Sequence, residues 1–524
     1  MTRPILRWTL IVIVAFVALS LLALWSWGHF ARSARGAASH ALPAAASATP
    51  LDRLIQPLLD AHPAGTSAAA LLDEAVPAFI VRARSARAAE RSLDVQYYIW
   101  RHDTTGRLLE NELMAAADRG VRVRLLIDDM NVAGRDDELL AMDAHPNLEV
   151  RLFNPGRNRG GGLRRALEMG LRFIGFNRRM HNKAWIADNR VAIVGGRNVG
   201  DEYFGASADT NFRDTDLLLI GPAVTETSAI FDRFWNSSEV IPLKALHKKG
   251  SHWTPAQFDA RRRQWLADAQ ATPWAHALAS HEAFVDQLVH GTLTLHWSRD
   301  IHVLSDPPEK AAALASHRDQ AGWMLYDISA LLFSAKHQSW LISPYFVPGE
   351  SGTLLLVGQA RRGMNVRVLT NSLAANDVPM VHAGYAAYRK RLLRQGVKLY
   401  ELKPGQSDTS RELFGSSGAS LHSKAFVVDG ERGFVGSFNL DPRSAQLNTE
   451  MGVIFDSPGL ARDLTTFFER SVAPERAWRV SIDADGHLHW HGAGGRVHDK
   501  EPDTGVGLRL LVRVMGWLPI ESQL

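Results

Sequence analysis

Cysteine is absent from the 524 residues. That excludes disulfide scaffolds, cysteine-ligated zinc, iron–sulfur clusters and thiol nucleophiles. It leaves the compartment open, since such a chain is indifferent to redox poise. An excess of one charge is also lacking: 59 Lys+Arg against 55 Asp+Glu gives +4, too small a total to name a partner. With 41 Gly and 23 Pro the chain is neither collagen-like nor dominated by linkers. What remains is ordinary globular composition, 46% apolar and 22% charged. The chain is too long for one core, so two domains or a duplicated unit are expected.

From Trp8 to Trp27 no residue is charged. Twenty helical residues span about 30 Å, the thickness of a bilayer's hydrocarbon core, and tryptophans sit at both ends. This predicts an N-terminal transmembrane anchor over 1–35. A cleaved signal peptide, with Arg3 and Arg7 before the run and Ala44-Ala45-Ala46 as the cleavage site, is the alternative. Arg3 and Arg7 are matched by Arg32 and Arg35, so the positive-inside count gives no orientation. Small residues over 36–50 read as part of a linker, 36–70.

The body repeats itself. SLDVQYYIW (92–100), VRVRLLIDD (121–129) and NLEVRLF (147–153) read as strands, and SWLISPYFV (339–347), the strand within 358–372 and GVKLYEL (396–402) match them. Helical stretches alternate with them, which predicts an α/β fold with a mostly parallel sheet flanked by helices in each half. The expected boundaries are 71–241 for the first half, 242–320 for an inter-half segment, 321–470 for the second half and 471–524 for a tail. Residues 255–290 look helical, 293–304 look like a strand, and RVSIDADGHLHW (479–490) looks like a hairpin turning at Asp485-Gly486.

Each half carries the same string. His181-x-Lys183-x4-Asp188 is followed by Gly195-Gly196-x-Asn198, and His422-x-Lys424-x4-Asp429 by Gly436-Ser437-x-Asn439. Both asparagines follow their histidine by 17 residues. One such match arises by chance in roughly a few per cent of chains of this size and composition; two with the same downstream pattern do not. At i and i+2 of a strand, His and Lys share a face and can both reach one phosphate. The glycines allow a close turn, and an Asn amide adds a donor beside the lysine. A matched acid follows in Asp214-Thr-Asp216 and Asn448-Thr-Glu450. Asp216 or Glu450 is expected to accept from imidazole Nδ1–H and leave Nε2 free to react.

These residues resemble the phospholipase D superfamily, named for its duplicated HKD motif, over roughly residues 70–470. The flanks LDVQYYIW, HNKAWIAD with VGGRNVGDEYF, VGSFNLDPRS with LNTEMG, and the closing WLPIESQL are similar to bacterial cardiolipin synthases of that superfamily. The resemblance implies two similar halves forming one active site at their interface. It implies catalytic His181, Lys183, Asp188, His422, Lys424 and Asp429, phosphate binding by Asn198, Asn439 and Ser437, and histidine orientation by Asp216 and Glu450. Gly196 in place of Ser437, and Asp216 in place of Glu450, make the halves chemically unequal and leave the nucleophile open between His181 and His422.

The implied reaction is transfer of a phosphatidyl group through a phosphohistidine to phosphatidylglycerol, with no metal or other cofactor. The implied partners are membrane phospholipids and an anionic membrane surface, without nucleic acid, at the bacterial inner membrane. A hydrolytic phospholipase or nuclease on the same motif is the second reading, and a silent membrane scaffold a third. Seven arginines between Arg157 and Arg179, with Leu163, Leu167, Leu171 and Ile174 on one helical face, read either as a lipid-docking helix or as a helix on the core. Leu508, Leu511, Val512 and Met515 form a second apolar stripe with the same two readings. His487, His489 and His491 alternate on one strand face and read as a solvated hairpin edge rather than a metal site.

Overall fold

The computed structural model of the chain describes residues 2–523 apart from 133, 161, 248–249, 279–292, 313–319, 321, 406–417 and 519–520. The stretch expected to be helical over 255–290 forms Pro255–Gln270 and Pro273–Leu278, and its remainder lies outside the described residues. Part of the closing WLPIESQL lies outside them as well.

The first half contributes β1 (Ser67–Leu72), β2 (Ser92–Tyr97), β3 (Arg122–Asp128), β4 (Leu148–Phe153), β5 (Ala184–Ala187), β6 (Val191–Gly195), β7 (Thr210–Arg213), β8 (Asp216–Ile220) and β9 (Val240–Pro242). With β10 (His296–Ser298), all but β7 form one sheet in the order β10-β1-β8-β6-β5-β2-β3-β4-β9. The second half contributes β11 (Ile301–Ser305), β12 (Gln338–Ile342), β13 (Asn365–Asn371), β14 (Lys398–Leu402), β15 (Gly418–Leu421), β16 (Lys424–Val428), β17 (Arg432–Gly436) and β18 (Met451–Asp456). The tail adds β19 (Ala477–Ile482), β20 (Leu488–His491) and β21 (Val497–His498). All of these but β15 form the order β11-β18-β17-β16-β12-β13-β14-β19-β20-β21. The run β8-β6-β5-β2-β3-β4 is therefore repeated by β18-β17-β16-β12-β13-β14.

The sheets are mixed rather than mostly parallel. Among the described residues, parallel pairing within them is confined to β2–β3–β4 and β12–β13–β14. The physical reason is a pair of tight hairpins. Asp188 and Asn189 take φ of 51° and 54° between β5 and β6, and Asp429 and Gly430 take 55° and 74° between β16 and β17. Three residues, two of them at positive φ, separate the paired ends Ala187–Val191 and Val428–Arg432, and so short a loop joins antiparallel strands. The segment 242–320 is not a separate unit either, because β10 completes the first sheet and β11 opens the second.

One core lies between the two sheets. Ile186, Val194 and Leu219 of the first meet Trp340, Val427 and Val453 of the second, together with Phe231 and Phe468 from the helices Pro222–Trp235 and Pro458–Ser471. The halves thus fold against each other instead of standing as beads. The expected 36–70 linker is also folded. Thr49 caps the helix Pro50–Asp60, which buries Leu51 and Ile55, and Ser39 N–H donates to Asn236 at 3.0 Å.

The N-terminal helix α1 (Thr2–Ser33) includes an apolar stretch, Ile5–Ser33, long enough to cross a membrane. Its last turns pack Ala31 and Ala34 on Ile241 of the body. The helix Leu163–Leu171 runs beside α1 and buries none of its own residues. Leu163, Leu167, Phe173 and Ile174 are exposed, so the apolar face of this segment points outward. The arginine face does not present seven free cations, contrary to the docking expectation. Arg159 pairs with Asp129 and Asp136, Arg172 with Glu168, and Arg179 with Asp128, while Arg178 donates to the carbonyl of Lys310. Arg172 also lies 3.8 Å above the Trp27 ring, fixing the anchor to the body. Arg172→Gln is therefore expected to lower the unfolding midpoint in detergent by about 2–4 °C, and exposed Arg164→Gln to leave it unchanged. Equal shifts in a thermal melt would contradict this division.

Candidate active site

The two motif strands meet where the halves adjoin. His181 N–H donates to the carbonyl of Thr449, and His422 N–H to the carbonyl of Arg213, each at 2.8 Å. β7 and β15, one from each half, pair in parallel up to Arg213 and Leu421, immediately before His422. Each histidine is therefore set by main chain of the opposite half. His181 is 8% exposed and His422 7%, enough to admit a reacting group but not bulk water. Lys183 curls back to donate to the carbonyl of His181 at 2.6 Å, and Lys424 does the same to that of His422. This is the shared strand face that the i, i+2 spacing predicts.

The carboxylates cross over as well. His181 Nδ1 meets Glu450 Oε2 at 2.8 Å, and His422 Nδ1 meets Asp214 Oδ2 at 2.5 Å. Asp214, not the expected Asp216, is the partner of His422. Strand register explains the difference: Gly195 pairs with Asp216 as Gly436 pairs with Gly452, which aligns Asp214 with Glu450. Asp216 faces the opposite way and is held by Arg82 at 2.8 Å and Arg197 at 3.3 Å. A Cβ on Gly196 would lie 2.2 Å from Asp214 Oδ1, so glycine there permits the close carboxylate. In the second half Ser437 instead donates its hydroxyl to Glu450 at 2.5 Å, and Ser444 donates at 2.8 Å. Ser437 thus contacts the acid rather than standing free for a phosphate.

Asp188 and Asp429 are not at the reacting centre. Each sits at the far end of its strand, about 16 Å along the chain from the lysine. Asp188 accepts from the backbone N–H groups of Glu90, Arg91 and Ser92, and Asp429 from those of Lys336, His337 and Gln338. They anchor the entries to β2 and β12, so a structural position replaces the expected catalytic one. Asn198 accepts from Ile99 N–H and donates to Tyr203 at 3.0 Å. Asn439 is buried with its Oδ1 unpartnered.

Residues that sequence reasoning passed over complete the walls. The Tyr98 ring stands edge-on to His181 at 5.1 Å, and the Tyr203 ring edge-on to His422 at 5.2 Å. Tyr98 lies in the quoted strand match, and its counterpart by that match, Tyr345, donates to Asp377 at 2.9 Å. The tail histidines lie elsewhere: His489 sits between Asp483 and Asp499, and His491 against Ser481.

Burial sets the protonation states. It pushes both imidazoles down to about 4, and the lysines of both halves add to the effect against the pull of Glu450 and Asp214. Burial also lowers Lys183 well below the ordinary lysine range and Lys424 to about 8. It would raise Asp214, but His422, Lys424 and Arg197 bring that carboxyl down to about 2. Glu450 is lowered likewise, by His181 and Lys183 against its burial. The resting site thus holds two neutral imidazoles with Nε2 free, two carboxylates and two lysines.

Asp214→Asn is expected to cut turnover by about 10²–10⁴-fold, because an amide holds the wrong tautomer of His422. Asp188→Ala should lower the unfolding midpoint while the folded fraction keeps its kcat; the reverse pattern would return Asp188 to the chemistry. In the pH profile of kcat/KM, the rate should fall above about 8 as Lys424 loses its proton. Lys424→Arg, whose cation persists, should move that alkaline limb upward, and an unmoved limb would exclude Lys424 as its source.

Residues 83–235 and 328–472 match the family described as cardiolipin synthase, PLD-like domain, and both motifs fall within them. Cardiolipin synthase C of Escherichia coli is 43% identical over 476 residues, covering 89% of this chain and 98% of that protein. A cardiolipin synthase of Geobacillus kaustophilus is 29% identical over 366 residues, covering 69% of this chain and 58% of that protein. Among solved structures, phosphatidylserine synthase of Haemophilus influenzae shares the fold, with a TM-score of 0.57 at 13% identity over 87% of this chain and 95% of that one. The apolar N-terminal helix together with this kinship marks a membrane-anchored bacterial protein. The repeated sheets, the paired motifs and these matches agree, and the chain belongs to the cardiolipin synthase family of phospholipase D-like proteins.

Proposed function

We propose that the protein is a phosphatidyltransferase that forms cardiolipin, moving a phosphatidyl group from a donor phospholipid to phosphatidylglycerol at the bacterial inner membrane. The observation that carries this reading is the crossed arrangement of two histidines, each bonded at Nδ1 to the other half's carboxylate beside a buried lysine. A phosphodiester seated between them meets one nucleophile, one acid and two cations.

His181 is the nucleophile in this reading. Its partner Glu450 already accepts from Ser437 and Ser444, which drains charge from the carboxylate and favours a neutral imidazole. Asp214 accepts from no hydroxyl, only from His422 at 2.5 Å and the Thr215 N–H at 2.8 Å, which favours the proton-carrying role at His422. Binding the anionic phosphodiester raises both imidazoles and brings one proton onto His422. His181 Nε2 then attacks phosphorus, the bond to the departing headgroup oxygen breaks, and His422 gives that oxygen its proton. A hydroxyl of phosphatidylglycerol next loses its proton to His422 and attacks phosphorus, releasing His181. Lys183, Lys424 and the two motif asparagines hold the equatorial oxygens through both transition states.

The reading requires no metal, because the lysines supply the charge that a divalent cation would otherwise carry. EDTA is expected to leave the rate unchanged. With labelled phosphatidylglycerol in vesicles, lipid mass spectrometry should show label in cardiolipin with phosphatidic acid a minor product. Replacement of either motif histidine by Ala should abolish both. Phosphatidic acid as the main product at high acceptor lipid would make the protein a hydrolase, and nucleic-acid cleavage without lipid turnover would make it a nuclease.

A further inference from the structure

A cavity of about 480 Å³ lies beside the second half, walled by Ile328, Leu332, Phe346, Leu355, Phe438 and Ala445 among others. That volume falls within the roughly 300–1,000 Å³ of sites that enclose small molecules. Its inner wall is shared with the reacting centre. Phe438 stands between Ser437 and Asn439, and Ala445 follows Ser444, and both serines bond Glu450. Its mouth lies at the surface, where lining residue Phe333 is 65% exposed.

Beside the exposed Glu350–Arg391 pair at that mouth, exposed apolar side chains recur toward the anchor. Glu521 and Ser522 line the cavity just beyond Trp517 and Leu518, both exposed. The helix Val506–Met515 packs Val512 on Leu373 and Ala383 and turns Val506, Leu510, Leu511 and Val514 outward. Asn177 donates to Gln523 at 2.7 Å and ties this end to the segment bearing exposed Phe173 and Ile174. That segment continues the helix lying beside α1. An exposed apolar rim of this extent marks an interaction surface, and its continuity with the anchor selects lipid over a second protein.

We propose that this cavity is a binding site for one fatty acyl chain of the substrate phospholipid, entered from the membrane-facing rim and ending behind the Phe438–Pro442 wall of the active site. The inference rests on the phosphatidyltransfer reading. The histidines are nearly buried, so a phosphodiester that reaches them draws the first methylenes of its chains out of the bilayer. Exposing those methylenes to water is unfavourable, and an apolar cavity beside the site removes that cost.

The test uses the full-length protein in vesicles of phosphatidylglycerol carrying a photoreactive diazirine near the end of one acyl chain. Cross-links should map to 325–356 and 438–446. Labelling confined to α1 and the helix Val506–Met515 would overturn the site. Ser329→Trp and Leu355→Trp, which fill the cavity, should lower kcat/KM on dioleoyl phosphatidylglycerol by about tenfold or more and leave that on dihexanoyl phosphatidylglycerol within about twofold. Equal losses on both substrates, or no loss on either, would also overturn it. If the wild-type protein turned over neither lipid while cross-links still mapped to the cavity, the transfer reading would fail and the acyl site would stand.

Discussion

Everything at the reacting centre depends on one constraint: the hydrogen bond that orients each histidine comes from the other half of the chain. His181 needs Glu450, and His422 needs Asp214. Neither half can prepare its own imidazole. The main chain repeats the exchange, with Thr449 receiving His181 N–H and Arg213 receiving His422 N–H. The common core between the sheets and the β7–β15 pair hold these contacts in register. Separation of the halves would therefore cost orientation as well as burial.

The same interface fixes the electrostatics. Burial keeps both imidazoles neutral while the site is unoccupied by anion, and two carboxylates balance two lysines. A phosphodiester changes that balance by one negative charge, which is the charge a second imidazole proton would neutralise. Gly196 with Asp214 and Ser437 with Glu450 then break the symmetry, since one acid serves a single imidazole and the other is shared with two hydroxyls. A duplicated motif becomes a site with two distinct histidine roles.

Much of this was legible in the chain, and the misses have physical causes. The repeated spacing of His181, Lys183 and Asn198 with His422, Lys424 and Asn439 located the motif because strand periodicity puts His and Lys on one face. The acid was read two residues late, because spacing alone does not tell Asp214 from Asp216, and only the pairing with β6 shows that Asp214 aligns with Glu450. Asp188 and Asp429 looked catalytic by association, yet as positive-φ turn residues they cap backbone. Parallel strands were read from the β2–β3–β4 pattern, while the short motif hairpins that make the sheets mixed were too local to stand out. The arginines of 157–179 looked like a lipid-facing row, but Asp128, Asp129 and Glu168 claim four of them from distant or neighbouring turns, and the apolar face is the one left outside.

The crossed pairing is tested most directly by trapping the covalent intermediate with a phosphatidyl ester of p-nitrophenol, whose leaving group needs no proton. After acid-free quenching, peptide mass spectrometry should find the phosphatidyl adduct on His181. Glu450→Gln should slow its formation by about a hundredfold or more, because the second half's acid serves the first half's nucleophile. Asp214→Asn should leave that first step nearly unchanged. Loss of the His181 adduct in Asp214→Asn with normal formation in Glu450→Gln would contradict the account.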